Sequence, residues 1–408
     1  NIRGGIKIGG VEGNLISGWE DLNLDKIVKE KKYVLDCQYS FYASNGIDCY
    51  GSYYYDNEEK GIFHLNLITG VKTKIYNNGY RWQYFFEDSK GNVYVGGATS
   101  GLLHLNGTTA TYNKFSENYH RNFFEDSKGN VYVYNSNGSS IYHLNGSSAT
   151  RIVISFRFGY FFEDSKGNVY VGSNDSDKLG IVHLNGTTAT LIYNQGAYWQ
   201  YFFEDSKGNV YVSGANNNGI LHLNGLVPTQ VYSTGSKWGV FFENSKGNVY
   251  VCGAQYGDYG IINLNGTTAT LIYNLGVNWK QFFEDSKGNV YVSGDSSAGI
   301  LCLKETTVAK IFKNASQNWD NFFEDSKGNV YVGSSLNFVN NSNEQFYTAN
   351  FGILLLNENS ALQIYNKGSV WKYFFEKEQG VLVSSTTNFV PGSTVLLLNG
   401  STVYEIIL

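Results

Sequence analysis

The sequence contains no methionine, only two prolines and only four cysteines in 408 residues. Four cysteines are too few for a disulfide-stapled scaffold of this length, and none shows a metal-type spacing with histidine, so we predict no metal or cofactor. No apolar run reaches the roughly 20 residues that span a bilayer, which predicts no transmembrane segment. Because the chain begins at Asn1, we expect the initiator and any export signal to lie outside it.

An excess of positive charge is also missing. The formal net charge is −5, and the only basic cluster is the short run from Lys29 to Lys32. Proteins that bind phosphate backbones need a basic patch or stripe. We therefore predict no nucleic-acid partner.

Aromatic residues and glycine are abundant, with 33 Tyr, 26 Phe, 7 Trp and 47 Gly. Aromatic side chains favour strands, and glycine favours the tight turns that join them. The composition therefore predicts an all-β chain with little helix.

One phrase recurs along the chain almost unchanged, Phe-Phe-Glu-Asp-Ser-Lys-Gly-Asn-Val-Tyr-Val. It begins at Phe85, Phe123, Phe161, Phe202, Phe241, Phe282 and Phe322, with divergent copies at Phe41 and Phe374. A period of about 40 residues indicates a repeat architecture whose terminal units diverge. The registers predict nine units.

Each unit is predicted to hold four strands, A to D. In the unit that begins near Trp279, strand A covers 279–284, B covers 290–293, C covers 299–303 and D covers about 308–312. The segment Asp285 to Asn289 suits a type I turn with glycine at the left-handed bulge position. In other units an Asn-Gly pair, as at Asn265-Gly266, predicts a tight C–D hairpin.

Bulky residues on both faces of the same strands predict sheets that are buried on both sides. Four-stranded sheets of this kind, repeated every 40 residues, pack face to face in a β-propeller; a stacked solenoid is the alternative. We predict a propeller over residues 33–408 with nine blades, or eight if residues 33–78 pack elsewhere. Residues 1–32 are predicted as a lead-in, with one short helix between Trp19 and Lys32.

The pattern Glu-Asp-Ser-Lys-Gly-Asn-Val-Tyr-Val-Gly, followed by Gly-Leu-Leu-His-Leu-Asn, resembles the propeller repeat of two-component-regulator sensor proteins. The resemblance covers residues 41–408 and implies the propeller fold. Tyr94 and its equivalents stand where those repeats usually carry tryptophan. No kinase or DNA-binding segment is attached, so the sensor role does not carry over.

Several repeated residues are predicted to be structural. The repeated glutamates, Glu87 and its equivalents, are expected to cap turn amides or to meet a lysine of the same turn. The histidines of strand C, His64, His104, His143, His183 and His222, are expected to pack between blades. Cys252 and Cys302 are expected to be buried single thiols, whereas Cys37 and Cys49 are close enough in sequence for a disulfide.

The predicted binding residues lie at one edge of the blades, where the D–A and B–C connections vary in length and sequence. They are Trp82, Trp199, Trp238, Trp279, Trp319 and Trp371, each three residues before a Phe-Phe pair, and Phe338, Phe346 and Tyr347 in the longest insertion. Variable loops on a rigid scaffold commonly carry binding, and exposed indoles stack on sugars or anchor proteins. The alternative is that each tryptophan fills the gap between adjacent blades.

No catalytic constellation is visible, so the sequence predicts a binding protein rather than an enzyme. The leading hypothesis is an extracellular or cell-surface propeller that binds a glycan or protein partner, which includes sister subunits. One alternative is a structural subunit of a surface assembly or filament. The other is a propeller enzyme of the lyase or hydrolase type, with an irregular site formed by its loops.

Overall fold

The computed structural model describes the strands and the turns that join them. The described residues are 7–8, 11–12, 40–44, 48–52, 61–66, 68–78, 82–97, 101–113, 120–135, 140–153, 158–173, 180–215, 218–234, 238–253, 260–274, 279–294, 299–305, 307–313, 318–335, 352–366, 371–384 and 394–407. The predicted helix between Trp19 and Lys32 lies outside these ranges.

All the described elements are β-strands, numbered β1 to β38 in chain order. A two-stranded hairpin comes first, formed by Lys7–Ile8 (β1) and Val11–Glu12 (β2). Blades 1 to 4 then comprise Ser40–Ser44, Asp48–Ser52, Ile62–Asn66 and Lys72–Tyr76 (β3–β6); Trp82–Glu87, Val93–Gly97, Gly101–Asn106 and Thr109–Asn113 (β7–β10); His120–Glu125, Val131–Asn135, Ser140–Asn145 and Ser148–Val153 (β11–β14); and Phe158–Glu163, Val169–Ser173, Ile181–Asn185 and Thr188–Tyr193 (β15–β18).

Five further blades follow. They comprise Ala197–Glu204, Val210–Ala215, Ile220–Asn224 and Val227–Tyr232 (β19–β22); Trp238–Glu243, Val249–Gly253, Ile261–Asn265 and Thr268–Tyr273 (β23–β26); Trp279–Glu284, Val290–Gly294, Ile300–Lys304 and Thr307–Phe312 (β27–β30); Asn318–Glu324, Val330–Ser335, Ile353–Leu356 and Ala361–Tyr365 (β31–β34); and Tyr373–Lys377, Gly380–Ser384, Thr394–Asn399 and Thr402–Ile407 (β35–β38).

Every blade is a four-stranded antiparallel sheet in which strands A, B, C and D are neighbours in chain order. The predicted β-propeller of nine blades is confirmed, and residues 40–76 form a blade of their own rather than packing elsewhere. The chain divides into two compact units, Asn1–Tyr198 and Trp199–Leu408. The first holds blades 1 to 4, and the second holds blades 6 to 9 and almost all of blade 5.

The hydrophobic core lies between consecutive blades of each unit. Strand B is buried along its whole length in blade 7, as Val290, Tyr291 and Val292 illustrate. Val292 joins a cluster shared with blade 6, whereas Tyr291 joins a cluster shared with blade 8. Successive side chains of the strand thus pack into two different cores, which explains why Val290, Tyr291 and Val292 are all buried.

Strand D is the most exposed strand, and a β-bulge adapts it to this position. In blade 7, Ile300 pairs with Phe312 and Leu301 pairs with Lys310, so Ile311 is an extra residue. The bulge turns Ile311 towards the core and leaves Lys310 exposed. Bulges of this kind are one way in which an outer strand is made a poor template for pairing with other chains.

The A–B turn has the predicted chemistry. In blade 7 the Gly288 amide donates to the Asp285 carbonyl at 2.9 Å, and the Asp285 amide donates to the Asn289 carbonyl at 3.0 Å. Gly288 has φ +81°, a left-handed conformation that glycine adopts without strain. The bulged type I turn is therefore confirmed.

The C–D turn differs from the prediction in one respect. Asn265 is the last residue of strand C and pairs with Thr268, so Gly266-Thr267 is the two-residue loop rather than Asn-Gly. Gly266 has φ +55°, and Thr267 has no positive φ. A positive φ at the first loop residue alone is the pattern of a type II′ hairpin.

Candidate functional site

The six tryptophans predicted as binding residues are buried. Trp82, Trp199, Trp238, Trp279, Trp319 and Trp371 are each at most 2% exposed. Five of them belong to described clusters between consecutive blades, such as Trp279, which contacts the core shared by blades 6 and 7. The prediction that they are exposed ligand contacts is wrong, and the alternative that they fill the gap between blades holds.

For Trp82, Trp238, Trp279 and Trp319 a β-bulge in strand A accounts for this burial. Trp279 pairs with Gly294 and Gln281 pairs with Ser293, so Lys280 is an extra residue between them. Strict alternation would place Trp279 and Phe282 on opposite faces of the sheet. Because of the bulge, both rings pack into the same inter-blade cluster, and Tyr273 of the preceding blade meets the indole edge to face at 5.7 Å.

Phe338, Phe346 and Tyr347, the residues of the longest insertion that were predicted to bind a partner, lie outside the described residues. The strands on either side of the insertion are Val330–Ser335 and Ile353–Leu356. They pair through Gly333 and Ile353, so the insertion leaves the blade at its B–C edge. We call this end of each blade, which also carries the D–A connection, the variable edge.

The opposite end of each blade carries the A–B and C–D turns, and we call it the uniform edge. Here a glutamate at the end of strand A caps the turn of the preceding blade. The Ser245 amide donates to Glu284 at 2.7 Å, and the Ser245 hydroxyl donates to the same carboxylate at 2.6 Å. The prediction that these glutamates cap turn amides is confirmed, but the turn belongs to the neighbouring blade.

In four turns the lysine, which is Lys90, Lys128, Lys207 or Lys287, reaches in the same direction as the serine. Lys90 Nζ donates to the Gly129 carbonyl at 3.0 Å, and Lys128 Nζ donates to the Gly167 carbonyl at 2.8 Å. The predicted pairing of a glutamate with a lysine of its own turn is replaced by this contact with the next blade. The repeated turn is therefore an inter-blade clamp.

A tyrosine of strand B forms a second link across the uniform edge. The Tyr331 hydroxyl donates to Asp325 of its own turn at 3.4 Å and accepts from the Gly400 amide of the next blade at 3.0 Å. Burial, followed by the negative charge of Asp325, raises the pKa of Tyr331 to about 12. The hydroxyl thus stays protonated at neutral pH and acts as both donor and acceptor. A tryptophan at this position could only donate, because an indole has no acceptor.

The histidines of strand C have a packing role, but each packs against a tyrosine of its own blade rather than between blades as predicted. His104 lies at 5.4 Å from the Tyr94 ring, and its Nε2 is 3.2 Å from the Asn92 side-chain oxygen. Burial lowers the pKa of His104, although the charge of Asp88 opposes that shift. A neutral imidazole held between a tyrosine and a turn asparagine is a packing element of the uniform edge.

The cysteines of blades 6 and 7 are buried, as expected. The Cys252 thiol is 3.1 Å from the Trp279 carbonyl, and burial raises its pKa. Cys302 is also buried, and its thiol pKa is raised to about 11 chiefly by burial. Both thiols stay protonated near neutral pH and are poor nucleophiles. Cys37 lies outside the described residues, so the Cys37–Cys49 disulfide stays a prediction.

The variable edge has a second feature that differs between blades. It is formed by the two residues after each tryptophan, which we call the strand-A pair. In the second unit the pairs are Gln200-Tyr201, Gly239-Val240, Lys280-Gln281, Asp320-Asn321 and Lys372-Tyr373. Lys280 and Lys372 are exposed, and most of the others are half-buried. A Cβ built on Gly239 would lie 3.4 Å from the Tyr201 ring, so a pair contacts the bulge residue of the next blade.

Across the described strands and turns, no group of three or more His, Cys, Asp or Glu side chains could hold a metal ion. Nor does that part of the chain contain a helix long and apolar enough to cross a membrane.

No known family profile matches the sequence, and no curated protein resembles it closely enough to count as a relative. Solved structures do resemble it distantly. The extracellular domain of a hybrid two-component system from B. thetaiotaomicron is 16% identical with a TM-score of 0.30, over 90% of this chain and 51% of that domain. The chain thus spans about half the length of that domain. Virginiamycin B lyase from Staphylococcus aureus is 9% identical with a TM-score of 0.33, over 62% of this chain and 90% of the lyase.

Similarities of this size carry no argument about function. The β-propeller class therefore rests on the strand order itself.

Proposed function

We propose that this chain is a recognition module that binds a glycan or protein partner at the variable edge of its blades, outside the cell or on its surface. The observation that carries the proposal is the contrast between the two edges. The uniform edge repeats one turn sequence and uses it for contacts between blades. The variable edge bears connections that range from residues 98–100 in blade 2 to residues 336–352 in blade 8.

A rigid scaffold with diverse loops at one end suits recognition because the loops can change without loss of the core. The insertion after Ser335 is rich in Asn and includes Phe338, Phe346 and Tyr347. Aromatic groups give contact area at low entropy cost, and short polar groups give adaptable hydrogen bonds. These three residues remain our proposed contacts, whereas the tryptophans no longer belong to that set.

The test is deletion of residues 336–348. Long surface insertions contribute little to stability because closure entropy depends weakly on loop length. We therefore expect the deletion variant to keep its unfolding free energy within about 1 kcal/mol of the parent's and to lose binding in a screen of glycans and surface proteins. A variant that binds every partner of the parent would contradict the proposal.

A structural role in a surface assembly is the second candidate function, because the partner at the variable edge could be another copy of the chain. Analytical ultracentrifugation of the parent and of the 336–348 deletion separates the two. Assembly that disappears with the deletion favours a sister subunit, whereas a monomeric parent that binds glycans or other proteins favours recognition.

A further inference from the structure

Among blades 5 to 8 the strand-A pairs differ far more than the rest of strand A does, although the pair of blade 5, Gln200-Tyr201, repeats Gln83-Tyr84 of blade 2. The eleven residues that follow them are identical in blades 5, 7 and 8 and differ at one position in blade 6, where Asn244 replaces aspartate. The pairs in the same four blades share no residue at the first position. Divergence is therefore concentrated at two positions within an otherwise constant strand.

Exposure alone does not explain this divergence. Strand D has diverged in the same blades, at an exposed position that is occupied by Gln230, Leu271, Lys310 and Gln363 in blades 5 to 8. The serine and lysine of the uniform turn are exposed as well, and they are constant. Most strand-A pair residues of the second unit are only half-buried, yet the pairs vary as well.

Backbone geometry also sets the strand-A pair apart. Lys280 and Asp320 each occupy the extra position of a β-bulge, between a buried tryptophan and the Phe-Phe pair. Bulges re-aim side chains and are frequent beside functional sites. The rings that follow stack from blade to blade, with Phe283 and Phe322 at 5.3 Å and Phe323 and Phe374 at 5.5 Å. This stacking holds successive pairs in one register.

We propose that the strand-A pairs of blades 7, 8 and 9 form a binding surface for an oligosaccharide. The surface comprises Lys280, Gln281, Asp320, Asn321, Lys372 and Tyr373. Amide and carboxylate groups make paired hydrogen bonds with neighbouring hydroxyls, and a tyrosine ring offers an apolar face with a polar tip. Equivalent positions repeated from blade to blade suit a ligand built from repeated units.

The same residues are poorly suited to a protein interface. The centre of such an interface is enriched in large apolar and aromatic groups and depleted in Lys and Asp. The pairs of blades 7 to 9 contain no aliphatic residue and one aromatic residue, and the neighbouring tryptophans are buried. A hydroxyl-rich ligand is the class that this polar set fits.

This inference rests on the proposed recognition at the variable edge, and it can be tested by exchanging pairs between blades. Blade 6 already carries Gly239-Val240 on the same bulge, so Lys280→Gly with Gln281→Val, and Asp320→Gly with Asn321→Val, introduce residues that this backbone accommodates. Ala309→Thr, which copies the exposed Thr270 of blade 6 onto blade 7, is the matched control. Asp320→Asn serves as a conservative variant if the exchanges fail to fold.

The probe is an array of defined oligosaccharides, and the strongest ligand is then measured by calorimetry with the full chain. We expect each exchange to weaken the Kd at least tenfold, Asp320→Asn to weaken it several-fold, and Ala309→Thr to leave it unchanged. If the exchanges leave the Kd unchanged while the 336–348 deletion abolishes binding, this inference is wrong and the proposed function stands. An array without any ligand, together with a protein partner lost on that deletion, leads to the same conclusion. If neither the exchanges nor the deletion weakens binding, both this inference and the proposed function are wrong.

Discussion

The two ends of strand A behave as opposites in this protein. At the uniform edge, Glu284 is one of a series of glutamates, and it binds the Ser245 turn of the preceding blade. At the variable edge, the Lys280-Gln281 pair of the same strand matches no other pair. The difference teaches that constancy among these repeats follows inter-blade contacts. The most repeated residues are therefore the structural ones, and function is to be sought where the repeats diverge.

The uniform edge contains one natural exception that shows how its contacts depend on one another. In blade 6 the turn aspartate is Asn244, and in blade 7 Glu305 stands where most other C–D turns have glycine. The Tyr250 hydroxyl there donates to the Glu305 carbonyl at 3.3 Å, whereas Tyr331 donates to its turn aspartate and accepts from a glycine amide. Blade 6 thus lacks the aspartate that would accept from Tyr250, and the C–D turn of blade 7 provides the Glu305 carbonyl as the acceptor instead.

The largest effect is expected from Trp279→Ala, which separates packing from binding at the variable edge. The indole is fully buried between blades 6 and 7, so its removal should cost about 3–5 kcal/mol of unfolding free energy. Lys280→Ala, one residue along and exposed, should cost less than about 0.5 kcal/mol. Urea unfolding of the two variants gives the comparison, and similar losses would contradict the assignment of Trp279 to the core.

How much the sequence predicts can be judged at this strand. The repeat, the blade number and the Asp285–Asn289 turn follow from local patterns, because turn residues and apolar runs act over a few positions. The burial of Trp279 does not follow, since it depends on a bulge in the register of two strands. The partner of Glu284 does not follow either, because the contact joins neighbouring blades, 39 positions apart in sequence.

Gly288→Val tests the backbone of the uniform edge. No neighbouring atom lies closer than 3.5 Å to a Cβ at this position, but φ is +81°. The expected loss of about 1–2 kcal/mol therefore comes from forcing a β-branched residue into the left-handed region. Gly239→Ala is the control, because its Cβ would make ordinary contacts with Tyr201. An unchanged denaturant midpoint for Gly288→Val would contradict the turn geometry.

Glu284→Gln tests the clamp between blades 6 and 7. The amide keeps the shape of the carboxylate but loses its charge and one acceptor, so we expect a loss of about 1 kcal/mol. A double-mutant cycle with Ser245→Ala should show that the two effects are coupled. Glu378→Gln, at an exposed turn of blade 9, should leave stability unchanged. Additive effects in the cycle would show that the clamp contributes nothing.

The smallest effect sharpens the comparison within the uniform edge. Glu305 has φ +53°, so Glu305→Gly should stabilise the chain by about 0.5–1 kcal/mol. Asn244→Asp alone should change little, because the Tyr250 hydroxyl is engaged by the Glu305 carbonyl. The two changes together should exceed the sum of the single effects, since they recreate the arrangement around Tyr331. Strict additivity in thermal unfolding would refute this coupling.

Parallel measurement of binding and stability on two variants tests the central claim most directly. One variant, Asp320→Gly with Asn321→Val, changes the variable edge, and the other, Glu284→Gln, changes the uniform edge. The account predicts that the first loses affinity for the strongest oligosaccharide ligand and keeps its unfolding midpoint. It predicts that the second keeps its affinity and unfolds at lower urea concentration. The reverse pattern, with binding lost only at the uniform edge, would contradict the division of this protein into a structural and a recognising edge.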